Sequence, residues 1–279
     1  MNRTFGREVV LIVIKAIVVV LTIVAIIVAS VALFDGSLGI SDGTCNIAVL
    51  PVEGEIWPFY GLSNVPMIVT PDIVEDFIMT AEEDENIEAI LFEINSPGGL
   101  PAASERIADT IRNSSLPNVG MIGDIGASGG YMVAAATDHL IASPFSIVGS
   151  IGVNASYVEN SKQNEEDGLT YVQLIAGKYK DSGDPNKPLD DEARALIQRD
   201  LDEVHKYFIE MVAEYRGLSV EKVTELADGG TMTGVRAKET GLVDSVGGRS
   251  EAKKAFASIL GLDEADVIFC EYEAPILSL

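Results

Sequence analysis

From Ala16 to Phe34 the chain runs 19 residues without a charge, and Val9–Ile14 extend the apolar run upstream past Lys15. About 20 apolar residues cross the hydrocarbon core of a bilayer as a helix, so residues 9–34 predict a transmembrane anchor. Lys15 lies near one end, where a long side chain reaches the headgroups. Arg3, Arg7 and Lys15 precede the main run, while Asp35 and Asp42 follow it. That asymmetry predicts a cytoplasmic N-terminus over residues 1–8 and an exterior location from Asp35 onward, at a cell membrane crossed once. A cleaved signal peptide ending near Ser30-Val31-Ala32 is the rival reading. Secretory apolar regions are usually 7–15 residues long, and this one is longer.

Residues 35–45 read as a tether, and residues 46–279 as one extracytoplasmic domain in which strand and helix patterns alternate. Asn46–Pro51 and Glu88–Ile94 are short apolar runs of strand type, as is Val119–Ile122. Pro71–Ala81 is an amphipathic helix opened by Pro71 and Asp72; residues 101–113 form another, with Ala103, Ile107 and Ile111 spaced four apart. A helix from about Ser128 to Ala136 follows a glycine cluster. This repetition predicts an α/β domain with crossover βαβ connections. Asn160–Gly168 and Asp181–Pro188 are polar and read as loops, and Thr170–Ile175 is strand-like. Asp190–Arg216 is a long helix with Ile197, Leu201, Val204, Phe208, Val212 and Tyr215 on one face, stopped by Gly217. Asp266–Tyr272 looks like a closing strand.

The formal net charge is −24. Residues 1–34 contribute about +2, so the body carries about −26. Such a surface repels phosphate backbones and excludes nucleic acid as a partner; its plain meaning is solubility. Two cysteines, Cys45 and Cys270, stand near the two ends of the exported part, and an oxidising exterior permits a disulfide between them. Metal-type cysteine spacing is absent and His139 and His205 are the only histidines. Neither a metal nor a cofactor is expected.

Three segments carry candidate chemistry. Asn95-Ser96-Pro97-Gly98-Gly99 follows a strand, and its glycines let bare N–H groups face an oxyanion; an ordinary strand-to-helix turn has the same composition. Gly126-Ala127-Ser128-Gly129-Gly130 leaves a serine uncrowded at a helix start and fits the G-x-S-x-G pattern, although an N-cap serine would look alike. A hydroxyl nucleophile needs a base. His139 reads as a surface residue entering a strand and His205 as a core-edge residue, so lysine is the candidate. Gly177-Lys178-Tyr179-Lys180-Asp181 supplies two. A lysine base needs a partly neutral amine, against a reference pKa near 10.4, and burial in an apolar pocket lowers a lysine by up to 3–5 units. Spacing does not choose between Lys178 and Lys180.

The stretch Gly126–Val153 resembles the nucleophile region of the S49 serine peptidases, in their single-domain signal peptide peptidase A form. Asn95–Gly99 is similar to that family's oxyanion loop and Gly177–Asp181 to its lysine loop. Glu239–Asp244 with Gly247-Gly248 resembles its distal signature. The likeness covers most of residues 46–273. It implies Ser128 as nucleophile, Lys180 as general base, Ser150 as the hydroxyl orienting the lysine, and the N–H groups of Gly99 and Gly129 as the oxyanion hole. It further implies a crotonase/ClpP-like core and ring-shaped homo-oligomers whose neighbouring subunits share active sites. Peptide and polypeptide substrates are implied too, remnant signal peptides and misfolded chains among them. The chain departs from the pattern at His139, where a lysine or arginine is expected, and in its acidity.

Two other classes compete: a crotonase-fold enzyme acting on acyl-CoA, and a non-catalytic membrane scaffold with a degenerate site. Against the first, the domain is expected outside the membrane, away from CoA, and Ser128 supplies a nucleophile that such enzymes do not need. Against the second, the serine, the lysine and both glycine turns are present together.

Overall fold

A computed structural model of the 279-residue chain describes residues 40–41, 43–59 and 67–270, together with Lys15, Ile17, Val20, Thr22, Ile23 and Val24. It divides at Gly39/Ile40 into two units. Of the first, the six described residues are helical, with Ile17, Val20, Ile23 and Val24 exposed. The remainder of the expected anchor over 9–34 lies outside the described residues, among which no helix is long and apolar enough to cross a membrane.

The second unit is α/β. Strands β1 (Ile47–Ile56), β3 (Ala89–Gly99), β4 (Asn118–Ala127) and β5 (His139–Ala142) lie side by side and parallel, flanked by β2 (Ile68–Val69) at one end and β8 (Ser245–Val246) at the other. Helices α1 (Pro71–Glu83), α2 (Pro101–Arg112) and α3 (Gly129–Ala135) make the crossovers. Pro71 and Pro101 open α1 and α2, where a missing N–H costs nothing. Period-2 alternation decides the two faces. Ala48, Leu50 and Val52 of β1 join the larger core with Val74, Phe77, Ile107 and Ile111 of α1 and α2. Ile47 and Val49 turn the other way, with Leu91, Val119 and Ile141, onto Ala252 and Phe256 of α8 (Arg249–Leu260). A sheet covered on both faces reads as continuous apolar runs, as Ala89–Phe92 does.

β4 is where the sheet divides. Val119–Ile122 pair with β5, whereas Ile125–Ala127 pair with β6 (Ile147–Gly149), itself antiparallel to β7 (Thr231–Thr233). Gly123 sits at the fork, and a Cβ there would lie 2.7 Å from the Asn95 Oδ1. The same oxygen accepts the Asp124 N–H at 2.7 Å, so Asn95 fixes the bend that aims Ser128.

The long helix α5 (Asp191–Arg216) is capped by the Asp190 side chain, which accepts from Ala193 N at 2.7 Å, and ends at Gly217 in the left-handed region, φ 61°. Its second half is buried through Phe208, Ile209 and Val212; its first half carries residues 153–190 as an outlying arm containing the short helix α4 (Ser161–Glu166). Two shorter helices follow, α6 (Val220–Leu226) and α7 (Gly234–Thr240).

Three expectations need correction. Asn160–Gly168, read as a loop, contains the helix α4. Thr170–Ile175 forms no strand: among the described residues nothing pairs with it, and Val172 and Leu174 are exposed at 70% and 91%. Asn95–Gly99 is not a free turn, because β3 continues through Gly99, paired with β1 on both sides of a register shift between Glu53 and Glu55. The closing strand shortens to β9 (Phe269–Cys270), parallel to the start of β1. Cys45 and Cys270 are disulfide-bonded there, with Cα atoms 5.2 Å apart.

Candidate active site

The carboxyl ends of β1, β3 and β4 converge on a cleft of about 670 Å³, lined by Ser128, Ser150, Gly98, Gly99, Glu55 and His205 among others. This is where open parallel sheets place their ligand sites. Ser128 caps α3 with φ 53° and ψ −127°. That conformation costs a residue bearing a Cβ of order 1–3 kcal/mol. Ser150 has φ 52°, and among the described residues these two serines are the non-glycine positions with positive φ. Both are held by backbone bonds: Ser128 N donates to Gly149 O at 2.8 Å, and Ser150 N donates to Gly230 O at 2.8 Å. The Ser150 hydroxyl donates to Gly229 O at 3.1 Å.

The glycines permit close approach of two loops. A Cβ on Gly98 would lie 2.7 Å from Gly129 N and 2.9 Å from the Ser128 Cβ; one on Gly99 would lie 2.0 Å from Ile56 O. From the α3 side, a Cβ on Gly129 would lie 2.2 Å from the Ser104 Oγ and 3.2 Å from Gly99 N. The backbone nitrogens of Gly99 and Gly129 are therefore close to one another beside Ser128. Gly129 is also the first residue of α3, whose opening N–H groups have no intrahelical acceptor. Buried Ser96 staples the arrangement: its Oγ donates to Gly54 O at 2.7 Å and accepts from Gly98 N at 3.1 Å.

Of the residues picked out from sequence, Ser128, Ser150 and Gly99 share this cleft and Gly129 stands directly behind it. Lys180 does not join them. It is exposed on the arm, and within one chain it is not among the residues lining the cleft. Its neighbours are tied down. Asp181 accepts from Gln173 Nε2 at 2.7 Å and Tyr171 Oη at 2.8 Å, and pairs with Lys187 at 2.5 Å. The Lys187 bond holds the Asp181 carboxyl below its ordinary pKa, and the Asp181 carboxylate in turn pushes the Tyr171 phenol up to about 12. Lys178 pairs with Glu192 and lies over the Tyr179 ring, 5.1 Å from its centre. No ion pair holds Lys180 among the described residues.

His205, expected at a core edge, is half-buried with Nε2 3.3 Å from Ile151 O, and it also lines the cleft wall. His139 bonds Ser245 Oγ through Nε2 at 3.0 Å, away from the cleft. Glu55 and Asp228 also line the cleft and were not singled out from sequence. Glu55 stands at the end of a parallel strand, a signal that could have found it. No cluster of three metal-ligating side chains occurs among the described residues.

The signature described as Peptidase family S49 matches residues 110–263. A protein of Methanocaldococcus jannaschii, described as a candidate protease, is 34% identical over 189 residues, 67% of this chain and 61% of that protein. The chloroplastic serine protease SPPA of Arabidopsis thaliana is 30% identical over 211 residues, 74% of this chain and 31% of that protein. Protease 4 of Salmonella typhi is 30% identical over 241 residues, 84% of this chain and 38% of that protein. The match thus spans less than two thirds of each of these three relatives.

Proposed function

The chain belongs to peptidase family S49, as a serine peptidase of the signal peptide peptidase A type, and on that premise we propose that it is an endopeptidase working through Ser128 and Lys180. The observation that carries the reading is the pair of strained serines beside two converging glycine nitrogens.

In this mechanism the Ser128 Oγ attacks the scissile carbonyl carbon while its proton passes to the neutral Lys180 amine. The carbonyl oxygen becomes an oxyanion, and the N–H groups of Gly99 and Gly129 stabilise it. Collapse breaks the C–N bond, and the leaving amine takes the proton from the Lys180 ammonium. Water then attacks the acyl-serine, giving its proton to Lys180; as the C–Oγ bond breaks the Lys180 ammonium returns that proton to the Ser128 Oγ, and the carboxylic product leaves. The Ser150 hydroxyl orients the lysine amine.

Because Lys180 stands outside the cleft of its own chain, the lysine comes from a neighbouring subunit of a ring-shaped homo-oligomer. The exposed apolar side chains of the arm, Val158, Val172 and Leu174, suit burial in such an assembly. The domain, a crotonase/ClpP-like core over 46–279, acts outside the membrane to which residues 9–34 anchor it. The disulfide suits an oxidising exterior. Substrates are remnant signal peptides and released or misfolded polypeptides.

The test is labelling with a fluorophosphonate probe, followed by mixing of variants. Ser128 should be labelled in the wild type, and the label should vanish in Ser128→Ala and in Lys180→Ala. Mixing the two inactive proteins under subunit exchange should restore hydrolysis, since some interfaces pair an intact serine with an intact lysine. Background activity despite demonstrated exchange would refute the shared site. A Ser–His mechanism is the second reading, favoured by the place of His205 on the cleft wall. Loss of Ser128 labelling in His205→Ala with labelling retained in Lys180→Ala would establish it instead.

A further inference from the structure

The charge of the cleft is one-sided. Its ionisable lining consists of Glu55, Asp228 and His205, and neither lysine nor arginine is present among the described residues that line it. Glu55 owes its place to the backbone. The register between β1 and β3 slips between Glu53 and Glu55, and Gly54 between them has φ 84°. A Cβ on Gly54 would lie 2.2 Å from Met67 O, so a glycine is needed for this course of the strand. Irregularities of this kind re-aim a side chain next to active sites. Here the re-aimed group is a carboxylate, which is then held by Trp57 Nε1 donating to its Oε2 at 2.8 Å. Asp228 is fixed as well, its Oδ1 accepting from Gly230 N at 2.8 Å. The next two residues, Gly229 and Gly230, hold Ser150 through their carbonyls. Both carboxylates are therefore positioned by neutral donors, and no lysine or arginine of the described chain pairs with either.

We propose that Glu55 and Asp228 make this cleft selective for polypeptides carrying a lysine or arginine close to the bond that is cut. The inference rests on the serine-peptidase reading and adds the chemical class of its substrate, a cationic peptide segment. The Lys180 that the mechanism brings from the neighbouring subunit serves there as the neutral base, so the two carboxylates attract such a side chain and repel an acidic one. The net charge of −24 adds an attraction of the same sign at longer range. Signal peptides fit this class, because they begin with a positively charged segment ahead of their apolar region.

The test is digestion of a mixed peptide library by the whole protein, with every cleavage mapped by mass, for wild type, Glu55→Gln, Asp228→Asn and a control, Glu264→Gln, on an exposed turn away from the cleft. Gln and Asn keep the acceptors that Trp57 and Gly230 need, so the fold survives the change. Lysine and arginine should be enriched about tenfold over norleucine, about 1.4 kcal/mol, at one position within three residues of the cut. That enrichment should fall at least about threefold in both cleft variants and stay unchanged in the control. Wild type that cuts without basic enrichment, or enrichment untouched in Glu55→Gln and Asp228→Asn, overturns the proposal alone. Wild type that neither cuts nor takes the fluorophosphonate label overturns the peptidase reading, and this inference with it.

Discussion

Replacing Ser128 by glycine should make the protein more stable than replacing it by alanine, although both variants lack the nucleophile. At φ 53° and ψ −127° the residue occupies a region that glycine enters freely and a Cβ resists. Alanine keeps the Cβ and the strain. Glycine releases about 1–3 kcal/mol, loses about 0.4–1 kcal/mol through the greater freedom of its unfolded chain, and gives up part of one half-buried carbon, about 0.4 kcal/mol. At mid-range these leave a net gain of about 1 kcal/mol, or about 2–4 °C in Tm for a domain of this size. Urea unfolding followed by circular dichroism, with Ser128→Ala and Ser128→Gly at the same concentration, measures the difference directly. A glycine variant no more stable than the alanine one would refute the claim that the turn stores strain.

Three further outcomes are expected. Lys180→Ala should lower kcat/KM for a peptide substrate by about three orders of magnitude or more, whereas Lys178→Ala should change it little, since that side chain is exposed and occupied with Glu192; the reverse ranking would overturn the choice of lysine. Gly99→Ala should cost about 1–3 kcal/mol in urea unfolding by overpacking, because its Cβ would lie 2.0 Å from Ile56 O, and unchanged stability would contradict the close approach of β1 and β3. The third concerns acid. Burial pushes the Asp244 carboxyl up, but Arg216 at 2.5 Å, Leu140 N–H and His139 together bring it below its ordinary value. Its folded pKa being depressed, its contribution is present above the unfolded value and is lost as pH falls through the folded one. Asp244→Asn should therefore lower stability at pH 7 and flatten the decline below about pH 4, and parallel acid profiles would remove Asp244 from that decline.

The elements legible in the sequence were those whose cause is local. Pro71 and Pro101 announce α1 and α2, and Gly217 in the left-handed region ends α5 where the apolar stripe stops. The nucleophile turn was legible because glycines crowd around one serine. What stayed hidden depends on distant partners. The slip that brings Glu55 to the cleft exists only once β1 lies against β3 and Met67. His205 has the spacing of a core-edge residue, and only the docking of α5 places it near Ile151. Thr170–Ile175 has the composition of a strand, yet composition supplies no neighbour, and among the described residues nothing pairs with it.

The bond between Cys45 and Cys270 encloses nearly the whole described domain, 225 positions apart in sequence. The arm over 153–190 lies inside that closed loop. A molecule nicked there would remain one covalent body, its halves separating on a gel only after reduction. Damage to the arm would thus leave the core strands joined at their outer ends, so wear at the exposed segment need not release the domain from whatever holds its N-terminal side.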